Sequence, residues 1–275
     1  MADMTAALGI STKNRQRLTR LVRGAAGPFS VSEAAEILDL QQSRARRLLA
    51  GLAARGWLTR VRPNLYTTVP LDATDPAEWR EDPWMVAART FEPGYIGGWS
   101  AAEHHGLTEQ LFRDVVVLTA QPIRDRHPVI QGTLYRVKVV SEERLFGLTT
   151  VWRGRVRVSV SDPGRTIVDL LDDPPLGGGI RHVAEIVETY FAEPFHDGQR
   201  LLEYAERLGN RTVYKRLGYL MEVLGIDVPE LIAACLERLS SGFSLLDPSL
   251  PATGRFTRRW NLRLNGTIVP GSRDT

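Results

Sequence analysis

Apolar residues recur at helical spacing in two adjacent stretches near the start of the chain. Between Val31 and Leu38, the residues Ala34, Ala35, Ile37 and Leu38 form one apolar side. From Gln42 onward, Ala45, Leu48, Leu49 and Leu52 fall at i, i+3, i+4 and i+7, the single buried stripe of a 3.6-residue helix. Ser30 followed by Glu33 has capping-box spacing and starts the first of these helices. Asp39-Leu40-Gln41 is a short turn, and Gly56 ends the second helix. Glycine is the frequent residue in such a turn, and Asp39 tolerates the left-handed region better than most alternatives. Leu58 to Val61 and Leu65 to Val69 are short β-prone runs around Arg62-Pro63-Asn64. Helix, tight turn, basic helix and hairpin form the winged helix-turn-helix order. An earlier amphipathic stretch, Asn14 to Val22, predicts a helix whose Leu18, Leu21 and Val22 face the other two. Gly24 and Gly27-Pro28 end it.

The pattern changes beyond Pro70. The turn-rich segment Pro70 to Pro76 marks a domain boundary, giving a winged-helix domain at 1–70 and a second domain at 77–275. Asp75-Pro76-Ala77-Glu78 and Asp82-Pro83 both have the form of helix starts, the second running to about Phe91. Gly94 to Gly98 carries a short extended segment, and Ser100 with Glu103 opens a capped helix ending at Gly106. Asp114 to Thr119 is the continuous apolar run of a buried strand. Thr133 to Val140 alternates, and Leu148 to Trp152 with Arg155 to Val160 flank Arg153-Gly154 as a hairpin. Asp162-Pro163-Gly164 turns into a helix over Arg165 to Leu171, and Gly177-Gly178-Gly179 reads as a flexible loop. Four amphipathic helices follow, Ile180 to Phe191, Asp197 to Leu208, Arg211 to Leu224 and Val228 to Leu239, the last capped by Asp227-Val228-Pro229-Glu230. The first twelve residues read as loosely ordered, and the basic tail from Ser240 adds a strand at Trp260 to Leu264. The fold class is α/β mixed (α+β): a winged helix-turn-helix, then a mixed sheet-plus-helices domain with a helical subdomain at about 179–240.

Composition sharpens the division. The 275 residues fit one large domain or two of ordinary size, and 43% hydrophobic residues are ample for a packed core. The net charge of +3 is unevenly placed. Residues 1–70 hold 11 Lys/Arg against 4 Asp/Glu, a net of +7, whereas the remainder holds 24 against 28, a net of −4. A basic first quarter on a mildly acidic body points to a polyanion-binding module; the bland reading is chance clustering of arginine on solvated helix faces. The single cysteine, Cys235, lies on an apolar helix and reads as a core thiol, since one cysteine builds neither a disulfide framework nor a zinc site. With no signal-peptide pattern and no apolar run long enough to span a bilayer, the expectation is a cytoplasmic protein without membrane contact.

The chemistry centres on the basic helix. An α-helix fits the major groove, where arginine can hold guanine O6 and N7 bidentately and glutamine can hold adenine N6 and N7. Gln42, Ser43, Arg44, Arg46 and Arg47 occupy the exposed side of its first two turns. One or two of these arginines are expected to read bases and the rest to hold phosphates. Arg60, Arg62 and Asn64 of the wing would approach the backbone or neighbouring minor groove, with further phosphate contacts from Lys13, Arg15 and Arg17. Tyr66 is expected to pack the wing onto the helices. The alternative use of this face is a protein contact.

Other chemistry is thinly represented. No phosphate-binding loop, dinucleotide fingerprint or H-E-x-x-H motif occurs, and no cofactor or metal is expected. His104-His105 are adjacent, so on a helix they diverge by about 100° and read as a cap or packing pair. Asp169, Asp172, Asp173, Glu185 and Glu188 raise the alternative of a DNA-binding nuclease, without a strand-borne Glu-x-Lys partner. A second alternative is a regulator whose second domain senses a small ligand. No catalytic residue is assigned.

Three motifs in the second domain carry a resemblance. They are Tyr95-Ile96-Gly97-Gly98-Trp99-Ser100-Ala101-Ala102-Glu103-His104-His105-Gly106-Leu107, then Val160-Ser161-Asp162-Pro163-Gly164-Arg165-Thr166-Ile167-Val168-Asp169-Leu170-Leu171, then Asn210 with Lys215-Arg216-Leu217-Gly218-Tyr219-Leu220-Met221-Glu222. With the winged-helix start, the chain resembles the AbiEi family of abortive-infection antitoxins over roughly residues 12–265. It departs at the wing tip, where Arg62-Pro63-Asn64-Leu65-Tyr66 replaces an Arg-Gly-x-Tyr-type turn. The resemblance implies a repressor of its own type IV toxin–antitoxin operon in phage defence, binding promoter inverted repeats as two copies of a chain that can be monomeric in solution. It also implies a second domain that counters a nucleotidyltransferase-like toxin, with or without a stable complex. Asn210, Arg211, Lys215 and Arg216 are the expected antitoxin surface, a basic edge on the helical subdomain; a solvated helix face is the plainer alternative.

Overall fold

The structure, a computed structural model, describes residues 10–268 apart from 71, 72, 74 and 76. It divides into two compact units. The first runs to Glu92 and includes Pro128–Leu134 and Val151–Val158; the second holds Pro93–His127, Tyr135–Thr150 and the chain from Ser159.

In the first unit, α1 (Thr12–Gly24), α2 (Val31–Leu38) and α3 (Gln42–Ala53) pack beside a small sheet. Its strands are β1 (Phe29–Ser30), β2 (Leu58–Arg62) and β3 (Leu65–Thr68), in the order β1-β3-β2, and α4 (Pro83–Thr90) follows. The local signals explain the boundaries. The Ser11 hydroxyl accepts from the Asn14 N–H and caps α1. Ser30 and Glu33 form the full capping box, with Glu33 accepting from the Ser30 N–H at 2.7 Å. Burial pushes the Glu33 carboxyl up, but Ser30 and the Arg89 guanidinium outweigh it and hold the group below its ordinary value. Leu21, Phe29, Ala34, Ala45, Leu49 and Leu52 are fully enclosed. Each such leucine stabilises the unit by about 2 kcal/mol. Tyr66 is buried in the same core, so it packs the wing as expected. Val22 does not join it: the side chain is 51% exposed, because Leu18 and Leu21 already fill the inward face of α1.

The boundary between compact units does not fall in the turn-rich segment Pro70–Pro76, part of which lies outside the described residues. Polar side chains beyond it close onto the helix-turn-helix. Arg89 Nε donates to the Pro28 carbonyl at 2.9 Å, and its Nη2 pairs with Glu33 at 2.6 Å. Arg155 donates to the carbonyls of Val22 and Arg23, while the Arg153 guanidinium lies 4.7 Å from the centre of the Trp84 ring. The Asp75 carboxylate accepts from the Ala77 N–H, but residues 77–80 form a turn and irregular chain rather than a helix. At Pro83 the expected start is realised, with Asp82 capping α4 through Trp84 and Met85. The expectations for residues 1–9 and for the tail beyond 268 also lie outside the described residues.

The remaining strands and helices, in chain order, are β4 (Gly94–Ile96), α5 (Gly98–His104), β5 (Val115–Thr119), β6 (Val129–Ile130), β7 (Thr133–Val139), β8 (Leu148–Arg153) and β9 (Val156–Ser161). Then come α6 (Pro163–Asp172), α7 (Ile180–Ala192), α8 (Gly198–Leu208), α9 (Thr212–Val223), α10 (Pro229–Glu237), β10 (Ser244–Leu245), β11 (Arg255–Thr257) and β12 (Leu262–Leu264). The six-stranded sheet has the order β6-β7-β5-β4-β9-β8. Strand β5 is buried throughout, between parallel β7 and antiparallel β4, which accounts for its unbroken apolar run. Helix α6 is enclosed from Gly164 to Leu171. Two of its buried residues are charged: Arg165 pairs with Asp169 at 2.9 Å, and the Tyr95 hydroxyl donates to Asp169.

Three local expectations are corrected. Helix α5 begins after Gly97, and Ser100 is no cap; its hydroxyl is buried and accepts from the Val116 N–H at 3.0 Å. Gly177-Gly178-Gly179 is not a flexible loop but a packed connector. A Cβ on Gly177 would stand 2.6 Å from Val183, and the Ile180 N–H is fixed by Asp247 at 2.8 Å. Val228, not Asp227, precedes α10, with no side-chain cap. Cys235 is buried as expected, its thiol pushed up to about 12 by burial. Among the described residues no helix is long and apolar enough to cross a membrane.

Candidate nucleic-acid interface

The turn before α3 sets the geometry of the site. Asp39 ends α2 in the left-handed region, at φ 54° and ψ 57°, and its N–H closes onto the carbonyls of Ala35 and Glu36. A side chain there carries roughly 1–2 kcal/mol of strain, which carboxamide and carboxylate residues bear best. Asp39→Gly is therefore expected to be near neutral, the strain relief offsetting the extra freedom of the unfolded chain. Asp39→Val is expected to cost about 2 kcal/mol, a ranking that thermal unfolding of the two variants checks.

Helix α3 buries Ala45, Leu49 and Leu52 completely, which turns Gln42, Ser43, Arg44, Arg46 and Arg47 to solvent. Gln42 Nε2 donates to the Ser32 hydroxyl at 2.8 Å and ties the first turn of α3 to α2. Among the described residues, Arg44, Arg46 and Arg47 have no hydrogen-bond or ion-pair partner. Gln41 gives the helix no side-chain cap, so first-turn N–H groups and the positive end of the helix dipole stand beside these guanidiniums. The result is a rigid cationic helix face with free forked donors, the equipment for base edges and phosphates.

The wing is less uniform. Arg60 is exposed, and Pro63 and Asn64 form its tip. Asn64 has φ 69°; proline followed by a left-handed asparagine suits a type II turn, so Pro63-Asn64 closes the hairpin without glycine. Arg62 is half-buried beside Glu33 and Arg89, its Nε enclosed without a partner, and burial pushes its pKa down. It is less available to a ligand than Arg60. Lys13 and Arg15 are exposed on the first turn of α1, while Arg17 is half-buried and donates to Asn14. Arg20 is exposed on α1, yet it donates to the carbonyls of Ile37 and Leu38 and clamps α1 to the carboxyl end of α2, a contact that no local pattern signals.

The expected antitoxin surface is not a basic edge. Lys215 is fully buried and donates to the Gly242 carbonyl and to the Ser244 hydroxyl, the latter at 3.2 Å. Arg216 is also buried. It donates to the carbonyls of Leu171 (2.6 Å), Asp172 (3.1 Å), Leu245 (2.9 Å) and Leu246 (2.9 Å). Burial pushes both groups down. Asn210 is half-buried and donates to Asp172 at 2.7 Å, leaving Arg211 as the one exposed member of the set. The cause is the direction of α9, whose buried polar side faces backbone carbonyls at the end of α6 and along residues 242–246.

Of the five carboxylates weighed as a nuclease cluster, all but Glu188 meet cations. Asp169 pairs with Arg165, Asp172 with Lys138 and Arg144, Asp173 with Lys138, and Glu185 with Arg181. Burial pushes the Asp172 carboxyl up, but Lys138 and Asn210 reverse this and hold it below the ordinary range. His105 bonds the Ser161 carbonyl at 2.7 Å and packs beside His104.

Comparison with known proteins adds one family and one fold. The model of the IclR helix-turn-helix domain matches residues 17–62, which span α1 to β2. No curated protein matches. Among solved structures, the RV2827C protein from Mycobacterium tuberculosis has the same fold, with a TM-score of 0.60 at 14% identity, covering 92% of each chain. Residues 17–62 thus match a DNA-binding helix-turn-helix of the IclR type, which supports reading the chain as a DNA-binding transcriptional regulator.

Proposed function

We propose that the chain is an autoregulating repressor and antitoxin. Two copies of α3 bind the half-sites of an inverted repeat in its own promoter, and the second unit counteracts a nucleotidyltransferase-like toxin. The observation that carries the first half is the partner-free basic face of α3 inside the matched helix-turn-helix. Arg44, Arg46 and Arg47 with Gln42 and Ser43 enter the major groove; Arg60, Asn64, Lys13 and Arg15 hold phosphates, with Arg62 and Arg17 as lesser contributors. The antitoxin half rests on the resemblance carried by the motifs of α5, α6 and α9. It predicts a nucleotidyltransferase reading frame directly downstream; absence of that frame, or absence of growth rescue on co-expression with its product, rejects it.

The DNA half has a quantitative test. A residue holding a base bidentately contributes about 1–3 kcal/mol of discrimination. Fluorescence anisotropy on the upstream inverted repeat is expected to show the Arg44→Ala/Arg47→Ala protein binding at least tenfold more weakly. Its log K against log salt slope should be shallower by about one for each phosphate left without its arginine. Unchanged operator affinity in this double variant would remove α3 from the interface.

A second reading has its own observation. A cavity of about 480 Å³ lies between α7, α8 and α10, lined by Phe191, Leu202, Val228 and Leu231 with His196 and Glu230 at its polar side. Its size suits a small ligand. A metabolite that raises the melting temperature and shifts operator affinity would favour a ligand-sensing regulator, and a Leu202→Trp variant should abolish that response.

A further inference from the structure

The three short strands that end the described chain form a sheet in the order β10-β12-β11, with β10 parallel and β11 antiparallel to β12. Two large aromatic rings stand out from it. Phe243 is 51% exposed and Phe256 is 56% exposed. Their ring centres lie 4.8 Å apart at 71°. Phe256 is paired across the strands with Arg263, whose guanidinium lies 5.1 Å from the Phe256 ring centre and whose Nε is enclosed without a partner. Arg255 and Arg258 are exposed and, among the described residues, have no hydrogen-bond or ion-pair partner. The stretch from Gly254 to Arg263 contains four arginines and no acidic residue.

This surface is held stiffly from beneath. Lys215 bonds the Gly242 carbonyl and the Ser244 hydroxyl, the residues on either side of Phe243. Arg216 holds the carbonyls of Leu245 and Leu246. Trp260 is buried against Gly218, and its Nε1 donates to Glu222 at 2.6 Å. Two buried cations therefore pin a strand whose neighbouring ring points into solvent, where it adds nothing to the core. Exposed rings on a fixed backbone, interleaved with unpaired guanidiniums, suit unstacked bases and the phosphates between them. A duplex keeps its base faces stacked on one another and has none to offer such rings.

We propose that this C-terminal sheet binds single-stranded nucleic acid, with bases stacking on Phe243 and Phe256 and phosphates meeting Arg255, Arg258 and Arg263. The site is separate from α3 and does not depend on the operator or antitoxin readings. The charge around the rings favours this ligand over a protein partner, which would cover the same two rings.

The test uses the full chain in the Arg44→Ala/Arg47→Ala background, which lowers the contribution of α3 to the signal and is the parent for every variant below. Fluorescein-labelled 15-mer oligouridine and oligothymidine are titrated at low salt by anisotropy. Both are expected to bind, and Phe243→Leu/Phe256→Leu is expected to weaken binding at least tenfold, because leucine keeps apolar area but offers no ring face. Arg255→Ser/Arg258→Ser should reduce the slope of log K against log salt by about one to two. Tighter binding of the uridine strand would assign contacts to the 2′-hydroxyl, and equal binding would assign a general single-strand site. All four positions are exposed or on the surface, and circular dichroism confirms that the variants are folded. Failure of both oligonucleotides to bind, or binding indifferent to the leucine pair, overturns the proposal and leaves the rings as a protein contact.

Discussion

Replacing Arg216 by alanine is expected to lower the stability of the second unit by about 4 kcal/mol, within the range for removing one side of a buried charged network. The side chain is 4% exposed and spends its donors on four backbone carbonyls. Two of these, on Leu171 and Asp172, belong to the last turn of α6, where carbonyls lack intrahelical partners and carry the negative end of the helix dipole. The other two belong to Leu245 and Leu246 at β10. One planar fork therefore joins a central helix to the C-terminal sheet, and its removal leaves several acceptors enclosed without donors, each costing about 1–3 kcal/mol before relaxation. Lysine keeps the charge but not the fork, so Arg216→Lys should recover less than half of the stability. Urea unfolding followed by circular dichroism measures both variants. A decrease below about 1 kcal/mol for Arg216→Ala would mean that water or a rearranged strand serves these carbonyls instead.

The same residue shows where sequence reading reaches its limit. The elements that rest on side-chain periodicity or local capping were legible: the Ser30–Glu33 box, the Ala45–Leu49–Leu52 stripe, the left-handed Asp39 and the unbroken β5 run all appear in the fold. The basic face of α3 follows directly from its buried stripe, since Gln42, Ser43 and Arg44 through Arg47 have no inward position except Ala45. From sequence, Lys215 and Arg216 read as surface, because charged side chains are rarely buried unless paired and no carboxylate lies one helical turn from them. Their partners are backbone carbonyls, which every residue possesses and no composition reveals. The extent of the first unit was hidden for the same reason. Arg89 reaches Pro28, and Arg155 reaches Val22 and Arg23, through main-chain oxygen atoms far away in sequence. Ser100 likewise has the form of a cap, yet its hydroxyl serves β5 instead.

Gly218→Ala should destabilise the second unit by about 3 kcal/mol, the upper part of the usual range for overpacking a core. A Cβ at this position would lie 2.0 Å from Cη2 and 2.1 Å from Cζ3 of Trp260. The indole is 1% exposed and anchored by its bond to Glu222, so it has little room to withdraw. Trp260→Leu, by contrast, opens a cavity and should cost about 3–4 kcal/mol. In the double variant the new methyl group occupies space vacated by the indole. The combined destabilisation should then fall short of the sum by about 1–2 kcal/mol, a coupling that a double-mutant cycle in urea isolates. Strict additivity would mean that helix α9 needs glycine for some reason other than the approach of this ring. The chain between Arg258 and Arg263 runs through Trp260, so the two effects are tied to the proposed single-strand surface. The Gly218→Ala protein should lose oligouridine binding while its operator affinity, set by α3, stays within about twofold of the parent. A coupling of that size, with oligouridine binding lost in each single variant, would identify the seating of this one ring as what fixes the sheet in its binding geometry.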